Sequence, residues 1–330
     1  MSHPEVPTGH DTAVDAIAIG RNEGARLIAC LDSLIAAGFR QIVYVDSGST
    51  DNSLAEARAR GALVVELDMT QPFTAARARN AGVEALLQHA DAPEYIQFID
   101  GDCTLDPHWP QLAIEFLSEN PVVGVACGRR REVAPDASIY NHIIDREWDA
   151  PLGQTRSCGG DAMMRMAAFA EVGGFNPALI AGEEPELCVR LRRAGWQIWR
   201  LQAEMTRHDA NIMRFGQWWR RARRAGHAYA EGAALHGAPP ERHNVAQTRR
   251  ALIWGLVLPL VAIFGALLIN PIFLLLLLVW PAQILRLAIR DQDLTQATFL
   301  TLGKIPEAFG VVEYWLKRWT GRDSTLIEYK

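Results

Sequence analysis

Residues 95–102 read Tyr95-Ile96-Gln97-Phe98-Ile99-Asp100-Gly101-Asp102, an apolar run of strand length that stops on two carboxylates separated by one glycine. Aromatic and β-branched residues favour a strand here, and the acids end it at water. Four comparable runs surround it, at Asp15–Ile19, Gln41–Asp46, Leu63–Leu67 and Val122–Ala126. The segments between them, 24–37, 51–60, 73–89 and 107–119, carry helical periodicity. This alternation predicts right-handed βαβ units, an α/β fold with a mainly parallel sheet and flanking helices. Ligands of such sheets bind beyond the carboxyl ends of the strands.

Each of those ends carries a polar cluster. The first strand runs into Gly20-Arg21-Asn22-Glu23-Gly24, and the second into Asp46-Ser47-Gly48-Ser49-Thr50-Asp51. The helix after the third strand carries Arg77-Ala78-Arg79-Asn80-Ala81-Gly82. Any one of these alone reads as a turn or a helix cap. Four at one sheet edge point to a site. Asp100 and Asp102 supply hard oxygen donors suited to Mg2+ or Mn2+, an ion that keeps positions open for phosphate oxygens.

The chain has 330 residues, 49% of them hydrophobic and 22% charged, with a net charge of -5. That excludes a disordered chain and a disulfide miniprotein, and it gives no support to a nucleic-acid partner. The five cysteines have no C-x-x-C spacing, which reads as reduced thiols. Residues 1–11 read as a flexible lead-in without the apolar core of a signal peptide. Residues 200–250 hold ten arginines against four acids.

From Ala251 to Leu285, 35 residues pass without an Asp, Glu, Lys or Arg. Asn270-Pro271 breaks the run, so two helices, about 251–269 and 272–289, are expected as a transmembrane or re-entrant hairpin. A buried hairpin in a soluble core is the alternative. Arg249 and Arg250 precede the hairpin, Arg286 and Arg290 close it, and the turn carries no cation. The positive-inside rule then places both ends in the cytoplasm. The organisation expected is a catalytic domain over 12–235, a linker over 236–250, the hairpin over 251–289 and an amphipathic cytoplasmic tail over 290–330. A surface-lying helix is expected at about 304–320.

The ordered series Asn22-Glu23, Asp46-Ser47-Gly48-Ser49-Thr50-Asp51, Arg77-x-Arg79-Asn80-x-Gly82 and Asp100-Gly101-Asp102 resembles the family 2 glycosyltransferases. So do Gly159-Gly160-Asp161, Gly173-Gly174-Phe175-Asn176, Gly182-Glu183-Glu184-Pro185-Glu186-Leu187 and Arg190-Leu191-Arg192-Arg193-Ala194-Gly195-Trp196. The resemblance covers roughly residues 13–230 and implies a GT-A fold, Rossmann-like, of the membrane-anchored bacterial type. It implies inverting transfer of a sugar from a nucleotide diphospho-sugar to an acceptor hydroxyl.

By that similarity Asn22, Glu23, Asp46, Ser47, Arg79 and Asp100 face the donor, and Asp102 ligates the metal with Asp100 beside it. His208 is a candidate third ligand. Glu184 aligns with the family's catalytic Asp, although the residue here is Glu and Glu183 stands next to it as the other candidate. Gly159, Gly160 and Asp161 fall on the acceptor side. Arg220 and Arg221 are candidate clamps for a phosphate, or else part of a basic helix on anionic lipid. Arg129-Arg130-Arg131 reads as a solvated run, with the alternative that, following a strand, it faces a phosphate. Processive members carry Q-x-x-R-W where this chain has Gln217-Trp218-Trp219-Arg220-Arg221, which favours single-sugar addition. A lipid-linked glycan acceptor at the bacterial inner membrane, in exopolysaccharide or cell-surface glycan synthesis, is the expected setting. A sugar nucleotidyltransferase and a non-catalytic membrane scaffold are the alternatives.

Overall fold

The computed structural model describes residues 13–321. The expected lead-in, 1–11, and the end of the tail, 322–330, lie outside the described residues. The strands are β1 (Val14–Gly20), β2 (Ile42–Asp46), β3 (Leu63–Glu66), β4 (Tyr95–Asp100), β5 (Cys103–Leu105), β6 (Val123–Glu132), β7 (Gly153–Thr155), β8 (Ala162–Arg165) and β9 (Gln197–His208). Between them run α1 (Ala25–Ala36), α2 (Ser53–Ala59), α3 (Ala75–His89), α4 (Trp109–Glu119), α5 (Ile139–Trp148), α6 (Met166–Glu171) and α7 (Glu183–Arg193). Six helices follow the sheet: α8 (Phe215–His236), α9 (Val245–Leu252), α10 (Leu258–Leu268), α11 (Val279–Asp291), α12 (Leu294–Leu302) and α13 (Lys304–Thr320).

The sheet order is β3-β2-β1-β4-β8-β6-β9-β5, with β7 pairing β9. The first four strands are parallel, as the alternation requires. Downstream strands add antiparallel pairs, β4 with β8, β8 with β6, and β9 with β5 and β7, so the whole sheet is mixed. β1 is buried along almost its whole length because helices cover both faces. On α1 the buried residues Leu27, Cys30, Leu31 and Leu34 form one stripe at helical spacing. Asp15, charged and buried in β1, is held by a two-pronged ion pair from Arg40 at 3.0 and 2.6 Å. On α3, a Cβ at Gly82 would strike the Ile17 side chain, so glycine lets α3 lie close over the sheet.

Register then places the polar ends together. Gly20 pairs with Asp46, and Ile19 with Asp100. At the far side Cys103 pairs with His208, which brings the end of β9 beside Asp102.

Two helical spans, Val245–Leu268 and Pro271–Asp291, are long and apolar enough to cross a membrane. Only 17% and 6% of their most apolar windows are buried, which argues against a hairpin packed inside a soluble core. The second span opens with a 3₁₀ turn over Pro271–Leu278, capped by the Asn270 side chain accepting from the Ile272 amide. At roughly 2.0 Å rise per 3₁₀ residue and 1.5 Å per α residue, each span reaches about 35 Å. The apolar helix begins six residues before the expected boundary, at Val245.

The helix expected on a surface at 304–320 forms as α13, but its inner face packs along α8. Pro306, Ala308, Gly310, Val311 and Tyr314 are buried there, while Phe309, Leu316 and Trp319 stay exposed. The two helices approach at paired glycines. A Cβ on Gly226 would overlap the Glu307 carbonyl, and one on Gly310 would overlap the Arg223 carbonyl. Overfilling a close contact costs about 1–3 kcal/mol. Gly310→Ala is therefore expected to lower the thermal midpoint of the detergent-solubilised protein by several degrees. An unchanged midpoint would show that the two helices do not pack this closely.

Candidate active site

The carboxyl ends of β1, β2 and β4 open into a cavity of about 570 Å³. Its wall includes Asn22, Glu23, Ser47, Arg79, Asp100, Asp102, Gly160, Glu183 and His208, all of them singled out in the sequence. The two loops at its mouth are laced together. The Asn22 side chain accepts from the Thr50 amide at 2.7 Å, the Asn22 amide donates to Ser49 Oγ at 2.9 Å, and the Gly24 amide donates to Asp51 at 3.1 Å.

Arg79 sits at the centre. Its side chain is 2% exposed, and its two terminal nitrogens reach Asp100 and Glu183, each at 2.7 Å. Arg130 approaches Asp100 from the other side at 3.0 Å and Asp161 at 3.2 Å, and stacks on the Trp148 ring at 5.0 Å. Burial opposes ionisation of Asp100, but Arg79 and Arg130 outweigh it and hold the carboxyl well below its usual range. Asp102 Oδ2 lies 3.3 Å from His208 Nε2. Burial, with Arg130 nearby, lowers the His208 pKa and favours neutral imidazole, the form that ligates. His208 Nδ1 is buried and, among the described residues, makes no hydrogen bond, with Glu132 Oε2 3.9 Å away. The carboxylate oxygen of Asp102 and the imidazole nitrogen of His208 stand together with the Cys103 thiol, while the Asp100 oxygens are paired with Arg79 and Arg130; the carboxylate and imidazole are donors that fit Mn2+ or Mg2+.

The structure redistributes several expected roles. Glu184, aligned with the family's base, is 5% exposed and turned inward. Its Oε1 accepts from the Cys158 amide at 2.6 Å and from the Cys158 and Cys188 thiols at 3.0 and 2.9 Å. Of the two neighbouring glutamates, it is Glu183 that lines the cavity. At a helix start consecutive side chains point about 100° apart, so one residue faces the cavity while the next packs inside. Asp46 does not line the cavity. Its carboxylate is bound by the Tyr44 hydroxyl and the Gly48 and Ser49 amides, so it shapes the loop that presents Ser47. Asp161 is buried, accepting from the Asp100 amide at 3.0 Å and the Thr206 hydroxyl at 2.8 Å. It braces the end of β4; of its loop, Gly160 rather than Gly159 reaches the wall. Arg220 is exposed in a surface groove with Arg214 and Gln217, and Arg221 pairs with Glu147 at 2.8 Å, so neither lines this cavity. Arg224, one helical turn on, does.

Sequence reading passed over Arg224 and Phe73, and favoured solvent over the site for Arg130. Arg130 belongs to the arginine run expected to be solvated. The signal available was that a strand alternates faces, so one arginine of three consecutive ones can point inward. Phe73 lines the mouth with Arg21 stacked on it at 4.7 Å.

The fold is that of the GT-A glycosyltransferases. Residues 16–172 match the model of the family described as glycosyl transferase family 2. Among solved structures, the mannosyltransferase PcManGT from Pyrobaculum calidifontis, in complex with GDP-Man and Mn2+, is similar over 94% of this chain and 89% of its own, at 18% identity and a TM-score of 0.66. Glucosyl-3-phosphoglycerate synthase from Mycobacterium tuberculosis, in complex with phosphoglyceric acid, matches over 69% and 81% at 17% identity and 0.52. S. aureus TarS matches over 94% and 92% at 14% identity and 0.50. No curated protein matches the chain.

Removing Arg79 leaves two carboxylates facing each other with no cation between them. Breaking a buried pair in this way costs about 3–5 kcal/mol. Arg79→Met is expected to lower the thermal midpoint sharply near neutral pH and progressively less as pH falls below about 4 toward the depressed pKa of folded Asp100. Asp100 has a depressed pKa when folded, so the stability from its pairing is present above its ordinary pKa and is lost as pH falls. An equal loss at both pH values would contradict this electrostatic role.

Proposed function

We propose that the protein is an inverting glycosyltransferase that moves a sugar from a nucleotide diphospho-sugar to a hydroxyl of a lipid-linked glycan acceptor. The observation that carries this reading is one cavity with Asp102 and His208 on one side and Glu183, tied through Arg79 to Asp100, on another. Asp102 and His208, with Asp100 alongside, would hold Mn2+ or Mg2+, whose charge offsets that of the departing diphosphate. Asn22, Glu23 and Ser47 surround the nucleotide end.

Glu183 takes the proton from the acceptor hydroxyl as its oxygen bonds to the anomeric carbon. The bond from that carbon to the diphosphate oxygen breaks in the same displacement, with inversion. Arg79 fixes the orientation of Glu183 relative to Asp100. The GDP-Man and Mn2+ bound by PcManGT support the choice of donor class and metal. The two apolar spans support an acceptor carried by lipid and a place at the bacterial inner membrane. Arginines flank the hairpin at both ends, which supports a catalytic domain facing the cytoplasm, where nucleotide-sugars are made. Exopolysaccharide or cell-surface glycan assembly is the process that such a membrane-held transferase serves.

The test is a panel of UDP- and GDP-sugars with Mn2+, read as nucleoside diphosphate release. Glu183→Gln is expected to cut turnover about 10²–10⁴-fold, the range of a general base, while leaving nucleoside diphosphate binding within about threefold. Asp102→Ala is expected to abolish metal-dependent nucleotide binding. If Glu184→Gln stops turnover and Glu183→Gln does not, the base is the inward-facing residue and this reading of the cavity is wrong.

A further inference from the structure

A second cavity, of about 590 Å³, lies between the catalytic domain and the helices that follow the apolar spans. The two cavities have one lining residue in common and one pair of chain neighbours between them. Arg224 lines both, and Gly182, which lines the second, directly precedes Glu183, which lines the first. One side is α8, through Trp218, Arg221 and Arg224; the other is α12 and the start of α13, through Phe299, Leu300 and Lys304.

The lining is divided in character. Trp218 and Phe299 meet edge to face at 5.0 Å and form an apolar end with Leu300. Three cations face the space against two carboxylates: Arg221 is 2.8 Å from Glu147, Lys304 is 2.7 Å from Glu307, and Arg224 donates to the Ile180 carbonyl at 3.2 Å. An excess of cations beside an aromatic and aliphatic wall is complementary to an anionic group attached to a hydrocarbon chain. The α12 wall comes straight after the second apolar span, so the cavity sits where such a chain would pass from lipid toward the sheet.

We infer that this second cavity binds the acceptor as a phosphate-bearing amphiphile. Its anionic group lies near Arg224 and Arg221, its chain lies along Trp218, Phe299 and Leu300, and its sugar hydroxyl is presented past Gly182 to Glu183. The inference rests on the proposed transferase reading and assigns the acceptor its own compartment, entered from the side of Glu183.

The experiment uses the full chain in dodecyl maltoside micelles and an alkyl phosphate with a diazirine on its chain, with photolabelled sites mapped by peptide mass. Labelling is expected in 218–225 and 299–300. Dodecyl phosphate should compete at least tenfold better than inorganic phosphate or dodecyl glucoside. Ala225→Phe, which fills the cavity, should reduce that labelling at least tenfold with Mn2+-dependent binding of GDP or UDP unchanged. If Ala225→Phe loses nucleotide binding through misfolding, Leu300→Trp is judged by the same criterion. Labelling confined to 245–291, equal competition by inorganic phosphate or by dodecyl glucoside, or labelling unaffected in a nucleotide-binding variant would each overturn the assignment. Loss of nucleotide binding by the unmodified protein, with labelling intact, would instead refute the transferase reading.

Discussion

Arg79 is a cation taken out of water, and it is tolerable only because two carboxylates meet it. Those partners come from positions 100 and 183, so a single side chain joins α3, the end of β4 and the start of α7. The geometry of the site follows from this joint. Asp100 is kept ionised by Arg79 and Arg130, and Asp161 holds its backbone from beneath. Glu183 is held to the cavity by the same guanidinium that holds Asp100. The donor side and the carboxylate proposed as base therefore cannot move independently.

Glu184 complements this arrangement from inside. It gathers the amide of Cys158 and two thiols around one oxygen, which fixes the loop carrying Gly160 against the beginning of α7. Burial raises the pKa of both thiols, that of Cys188 to about 11, so they remain neutral donors to the carboxylate. Neighbouring glutamates thus divide the work: one lines the cavity and the other secures the helix that presents it.

Much of this was legible in the sequence, for identifiable reasons. Strand ends bearing Gly20, Asp46 and Asp100 fall side by side because parallel register aligns them, and hydrophobic runs mark strands well. What spacing could not tell was rotation. Whether Glu183 or Glu184 faces the cavity depends on where the first turn of α7 begins, set by Gly182 in a left-handed conformation. The inward turn of Arg130 was hidden because β6 has register shifts on either side of Arg129, which disturb simple alternation. The three- and four-residue strands β5, β7 and β8 are too short to give a period. Amphipathicity located α13 but did not name its partner: one side, with Val311 and Tyr314, lies against α8, while Phe309, Leu316 and Trp319 stay exposed. The same packing makes the helices after the hairpin part of the wall of the second cavity, so they are more than an anchor.

The most direct measurement is the position of Mn2+ by anomalous scattering in crystals grown with Mn2+ and a nucleoside diphosphate. The expected result is a peak at Asp102 and His208, with the terminal phosphate on the side that Glu183 faces. A peak at Cys158, Glu184 and Cys188, or nucleotide lying away from Glu183, would contradict the division of roles on which the site depends.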